Sequence, residues 1–186
     1  AFLADGWSIK RLVRRIALSR TYRMASQHDD PRAADRDADL RLLHRTRVRR
    51  LDGESIRDAI LCLSGRLDRR REGPGVPVHL TPFLDGRGRP DVQGPLDGDG
   101  RRSLYQEVRR NFLNPMFLAF DFPIPFTTMG RRSVSSVPAQ ALTLMNNPLV
   151  VQQAEVWAKR VLAHKDRTPT ERVRQMYLSA YGRPPT

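Results

Sequence analysis

Residues 73–100, GPGVPVHLTPFLDGRGRPDVQGPLDGDG, hold seven glycines and five prolines. No helix runs through such a segment. Proline removes a backbone donor and clashes with the preceding turn, and glycine raises the entropy lost on ordering. A central strand is excluded as well. Residues 76–80 can form at most a short edge strand, because Pro77 cannot donate to a sheet interior. Regular structure is therefore confined to the flanks, and residues 73–100 read as one long ordered or partly ordered loop, of a length often tied to function.

The flanks carry helical periodicity. Ser8 is placed to cap a helix whose apolar positions Ile9, Leu12, Val13 and Ile16 fall on one face. Residues 28–39 are polar, contain Pro31 and read as a loop. A short helical piece is expected over residues 40–44 and a stronger helix over residues 53–64. The stronger one is capped by Asp52, striped by Ile56, Ala59, Ile60, Leu63 and Leu67, and stopped by Gly65. Toward the C-terminus three helices begin at proline. Val137-Pro138 opens one carrying Ala141, Leu142 and Met145. Asn147-Pro148 opens a second striped by Val150, Ala154, Trp157, Ala158 and Val161. Thr168-Pro169-Thr170-Glu171 is a capping box before Val173, Met176, Tyr177 and Ala180. Such starts make short, sharp joints between helices.

Residues 101–153 form the densest stretch, with three Arg-Arg pairs and an aspartate between two phenylalanines. Leu104, Gln106 and Val108 alternate as in a strand, although Leu104, Val108 and Phe112 also share a helix face. Gly100 before and Pro115 after favour the strand. Arg109-Arg110-Asn111 and Arg131-Arg132 are candidates to grip a carboxylate, sulfate or phosphate through forked hydrogen bonds. Asp121 lies between them. A carboxylate flanked by aromatics needs a partner, so the simplest expectation pairs Asp121 with one of these arginines and locks the loop; an open ligand site is the alternative. The Asn146-Asn147 pair reads as capping.

The formal net charge is +13, and arginine supplies nearly all of the positive charge because lysine occurs only at 10, 159 and 165. Either the surface meets a polyanion, or it is simply solvated and arginine-biased. The charge is spread along the chain and interleaved with aspartate, not gathered into a basic arm, which makes nucleic acid an unfavoured partner. Cys62, the only cysteine, lies at the edge of an apolar helix face and reads as a small buried hydrophobe. His28, His44, His79 and His164 are isolated from it and from one another, so no metal or haem site is expected within this chain. Asp97-Gly98-Asp99-Gly100 resembles half a calcium loop, but with Pro95 at the first ligand position it reads as a turn. There is no nucleophile elbow, phosphate-binding loop or dinucleotide fingerprint, so the reading leans against an enzyme. No apolar run approaches the ~20 residues needed to span a bilayer.

Several segments together carry a family resemblance: WSIKRL at 7–12, SRTYR at 19–23, RLDGESIRDAI at 50–60, SGRL at 64–67 and GPLDGDGRRSLY at 94–105. They continue with VRRN at 108–111, Phe120-Asp121, GRRSVSSVPAQALTLMNNP at 130–148 and YGRPPT at 181–186. In this order they resemble the planctomycete domain of unknown function found at the C-terminus of large cytochrome c-like proteins, and the resemblance covers nearly the whole chain. It implies an exported, periplasmic or surface-facing multidomain protein, with haem c in another domain and none here. Its implied partners are the other domains of the polypeptide and sulfatase-like neighbours. It carries over no catalytic residue.

The expectation is a mainly α fold with a small β element. It is one domain over residues 1–186, truncated at its N-terminus: a helical part at 1–72, the loop at 73–100 and a signature core at 101–186. Its expected role is a non-catalytic interaction or scaffold module. The alternatives are binding or processing of an anionic, sulfated polysaccharide, with Arg109, Arg110, Asn111, Asp121, Arg131 and Arg132 as candidate groups, or nucleic-acid binding through the basic surface.

Overall fold

The computed structural model describes residues 2–27 and 30–186; His28 lies outside the described residues. The chain divides into two compact units, Ala1–Arg49 and Arg50–Thr186. In the first, Ser8 caps α1 (Ile9–Leu18) by accepting the Arg11 amide. No residue of α1 is buried, and Ile9, Val13 and Ile16 all stand exposed. Residues 28–39 were expected to be loop, yet they contain α2 (Pro31–Arg36). Asp30 accepts the Arg32 amide and Pro31 takes the first helical position, so the polar composition concealed a capped start. The helix expected over residues 40–44 is absent. The buried Asp37 carboxylate captures the amides of Arg41 and Leu42, and Leu40 and Leu43 take positive φ. A side chain that bonds local amides in this way competes with helix formation.

The second unit is built on α3 (Gly53–Ser64), capped by Asp52 and closed by Gly65 in the left-handed conformation. Around it pack α4 (Pro115–Ala119) and α6 (Pro148–Ala163); α5 (Pro138–Asn146) touches α4 and α6, and α7 (Pro169–Tyr181) packs on α6. Proline stands in the first turn of α2, α4, α5, α6 and α7. Its missing N–H would be unsatisfied there in any case. Met116, Phe120 and Leu149 form one apolar core, with Ile56, Ile60 and Leu144 against it. Val78, Leu80 and Phe112 form a second under the long loop.

The fold is mainly α. Among the described residues, pairing of β type is limited to two isolated parallel bridges, Asp68–Arg101 and Val76–Gln106. The strand expected over residues 102–109 is replaced by a 3₁₀ turn at Ser103–Tyr105. Its apolar alternation misled because Leu104 and Val108 face out, 77% and 59% exposed. The Asp97–Gly100 motif folds as a 3₁₀ turn with Arg66 on Asp97 at 3.0 Å. The buried helix faces are also rotated from the apolar stripes. In α3 they are Gly53, Arg57, Leu61 and Ser64, in α5 Gln140, and in α6 Leu149 and Gln153. Each of these faces carries a polar side chain. Cys62 is correspondingly exposed and not buried.

The loop at 73–100 is threaded close to other backbone. A Cβ on Gly94 would lie 1.9 Å from the Pro77 carbonyl oxygen, and one on Gly100 2.0 Å from that of Arg66. Gly100 also holds φ +70°, whereas Gly88 holds φ +82° in open space. Gly100→Ala is expected to cost about 3 kcal/mol, a left-handed backbone penalty plus a collision with the Arg66 carbonyl. Gly88→Ala should cost about 1 kcal/mol, the backbone penalty alone. Urea unfolding of the two variants checks the difference.

Candidate functional site

The 3₁₀ turn at Ser103–Tyr105, the first turns of α3 and the start of α4 enclose a cleft of about 340 Å³. Val78, Leu113, Phe117 and Phe122 contribute its apolar lining, with the two phenylalanine rings stacked at 5.6 Å. Charged groups in its lining are matched. Glu54 meets Arg132 at 2.8 Å, Asp58 meets Arg102 at 3.4 Å, and Glu107 meets Arg109 at 3.2 Å. Arg132 also lies over the Phe122 ring at 5.5 Å, and its hydrogen bond to Glu54 holds it more firmly protonated than usual. Ser103 sits in the wall, buried. Its backbone amide and hydroxyl both donate to Asp58 at 2.7 Å, while the hydroxyl accepts from Arg57 at 3.1 Å. A hydroxyl so held is a structural link, and among the described residues no histidine, cysteine or lysine lines the cleft to activate it.

A second polar node joins α3, α4 and α5. Asp121 follows α4 with φ +61°, a conformation that aspartate tolerates better than most residues. It accepts the Ser135 amide at 2.7 Å, the Ser135 hydroxyl at 2.9 Å and Arg50 Nη2 at 2.6 Å. Arg50 Nε donates in turn to the Ser135 carbonyl at 2.8 Å, and its guanidinium lies 5.2 Å from the Phe120 ring centroid. Gln140 completes the node by donating to Ser135 Oγ at 3.1 Å. The Ser135 amide is the largest influence holding the Asp121 carboxyl below its usual range; burial opposes it, and the Ser135 hydroxyl and Arg50 assist.

The six residues singled out from sequence do not converge. Asp121 is locked as expected of a flanked carboxylate, but by Arg50 and not by the arginine pairs around it. Arg132 lies at the cleft with Glu54, whereas Arg131 is exposed. Arg109, Arg110 and Asn111 lie together on an open hollow of about 490 Å³ that adjoins the cleft at Glu107 and Val108. Asn147 caps α6 by accepting the Leu149 amide at 3.0 Å, and Asn146 donates to the Leu142 carbonyl at 2.9 Å. Sequence reasoning missed Arg50, Arg57, Asp58, Arg101 and Ser103. The available signal was their place inside the strings at 50–60 and 94–105 that carry the family resemblance, where charge stands at positions a helix or turn buries.

A family profile described as PSD1, protein of unknown function (DUF1553), matches residues 1–186. The chain belongs to this family. No curated protein matches it, and no solved structure matches it. In this DUF1553 chain two of the charged groups that sequence alone presents as anion-grip candidates, Asp121 and Arg132, tie distant segments together. Arg50 and Asp121 are 71 residues apart in the chain, and Arg132 and Glu54 are 78 apart.

The Asp121 node has a signed pH dependence. With its folded pKa below the unfolded value of about 3.8, the carboxylate contributes stability fully present above that value and lost as pH falls through the folded one. Asp121→Asn should therefore lower the urea midpoint clearly at pH 7. The gap to the native chain should shrink as pH falls below about 3.8. A gap independent of pH would contradict the ionic account.

Proposed function

We propose that this DUF1553 chain is a non-catalytic interaction module that seats other domains of its own polypeptide. The polypeptide is read as an exported planctomycete protein of cytochrome c-like type, with haem c carried on another domain. The observation that carries this reading is that charged groups lining the cleft are paired internally, while large apolar side chains on its lining and on the adjoining segment stand open. Leu104 and Val108 at the cleft, and Ile124, Phe126 and Val134 beyond it, are all more than half exposed. Exposed apolar groups gathered near one region mark interaction surfaces, whereas singly scattered ones do not. The Phe117–Phe122 stack gives the cleft an aromatic wall of the kind that anchors a partner side chain. The matched charged pairs supply a polar rim, as at a docking interface.

The test separates the chain from the rest of its polypeptide. Expressed apart and mixed, the two pieces should associate with a Kd in the micromolar range by calorimetry. Leu104→Asp with Val108→Asp should weaken that association at least about tenfold while leaving the unfolding midpoint nearly unchanged, since both side chains are exposed. Absence of association at about 100 μM, which corresponds to weaker than ~5.5 kcal/mol, would contradict the reading. Haem staining of the full polypeptide should show covalent haem outside these residues.

A further inference from the structure

A second basic feature borders the 3₁₀ turn at Ser103–Tyr105. Arg69, Arg70, Arg71 and Arg102 line a hollow of about 370 Å³, with Tyr105, Leu67 and a single carboxylate, Asp58. Two of the four guanidinium groups are engaged. Arg70 is held by Asp68 at 2.8 Å, and Arg102 reaches Asp58 at 3.4 Å. Arg69 and Arg71 are exposed and make no hydrogen bond or ion pair among the described residues.

The segment bearing them is fixed by its neighbours. Arg101, nearly buried, donates to the Arg70 carbonyl at 3.0 Å and the Glu72 carbonyl at 2.6 Å. Its guanidinium lies 4.0 Å from the Tyr105 ring centroid, and the Tyr105 hydroxyl accepts the Glu72 amide at 2.7 Å. The Asp68 amide donates to the Gly100 carbonyl at 2.7 Å. The arginine run is thus presented on a braced backbone, which lowers the ordering cost of binding.

We propose that this hollow binds a ligand carrying two or more neighbouring tetrahedral oxyanions, sulfate or phosphate esters, gripped by Arg69 and Arg71 with Arg102 beside them. Guanidinium forks match such oxyanions in geometry and charge. Exposed ion pairs are individually weak, so a lone sulfate is too little and the ligand must offer several groups at once. A nucleic acid fits less well, because single-strand binding relies on open aromatic faces and one face of Tyr105 is already covered by Arg101. The hollow shares Asp58 and Arg102 with the cleft wall but uses neither Leu104 nor Val108, and Arg69 and Arg71 lie outside the cleft lining, so double variants of these two pairs test the two roles separately.

Calorimetry at low salt with sucrose octasulfate, tripolyphosphate and a short single-stranded DNA tests the proposal. One or both of the first two should bind saturably, and more weakly as salt rises to about 200 mM, where screening is short-ranged. Binding of the octasulfate alone would assign sulfate esters, and of tripolyphosphate alone phosphates. Arg69→Ala with Arg71→Ala should weaken binding at least about tenfold with an unchanged urea midpoint. Arg109→Ala with Arg110→Ala, which removes the same charge elsewhere, should change it less than twofold. Equal losses in the two double variants would overturn the site in favour of diffuse charge attraction. No saturable binding of either small polyanion, or tighter binding of the DNA, would overturn it as well.

Discussion

The guanidinium of Arg57 stands in the middle of α3 with no exposed surface. It donates to the Asp97 carbonyl at 2.6 Å, the Arg101 carbonyl at 2.9 Å and Ser103 Oγ at 3.1 Å. Those acceptors belong to the segment that leaves the Gly/Pro-rich loop and enters the cleft wall. This segment forms only short 3₁₀ turns. The Asp97 carbonyl also accepts the Gly100 amide at 3.1 Å, but among the described residues the Arg101 carbonyl has no donor besides Arg57, and a buried carbonyl left bare costs about 1–3 kcal/mol. The arrangement is demanding in return. Burial pushes the Arg57 pKa below the ordinary arginine range, against the pull of Asp58 and Asp97, and among the described residues Nε has no hydrogen-bond partner. Gly98 must stay glycine, because a Cβ there would lie 2.6 Å from Arg57 Nη2.

The same device recurs at each joint of this unit. Ser64 on α3 meets Gln153 on α6 at 2.6 Å, both buried. Arg160 on α6 reaches back to the Leu63 carbonyl at the end of α3, over a Gly65 whose Cβ would occupy its place. Arg50, Asp121, Ser135 and Gln140 close the far side, and Arg101 braces residues 70–72. Two small apolar cores are therefore supplemented by side chain-to-backbone bonds that define which loop lies where.

Helix starts were legible in the sequence where a cap before proline opened a long apolar stripe. Asn147-Pro148 and Thr168-Pro169 announce α6 and α7 because both the missing N–H and the capping oxygen are local facts. The same signal at Asp30-Pro31 and Asn114-Pro115 passed unread, since helices of six and five residues carry too little periodicity to be noticed. Helix faces were less legible. Apolar periodicity points to Ile56, Ala59 and Ile60, but the deepest positions of α3 include Arg57 and Ser64, and no hydrophobic stripe reveals a buried guanidinium. The partner of Asp121 was equally hidden. Its need for a cation follows from its aromatic flanks, yet which arginine answers depends on a chain return of 71 residues that no local pattern encodes.

Hydrogen exchange of the amides of residues 98–106, compared between the native chain and Arg57→Met, tests the central claim most directly. Methionine keeps the α3 packing volume while removing every donor. The account predicts that protection in this segment falls by at least about 100-fold, equivalent to ~3 kcal/mol, while α6 amides lose less. Equal protection of residues 98–106 in both proteins would contradict it.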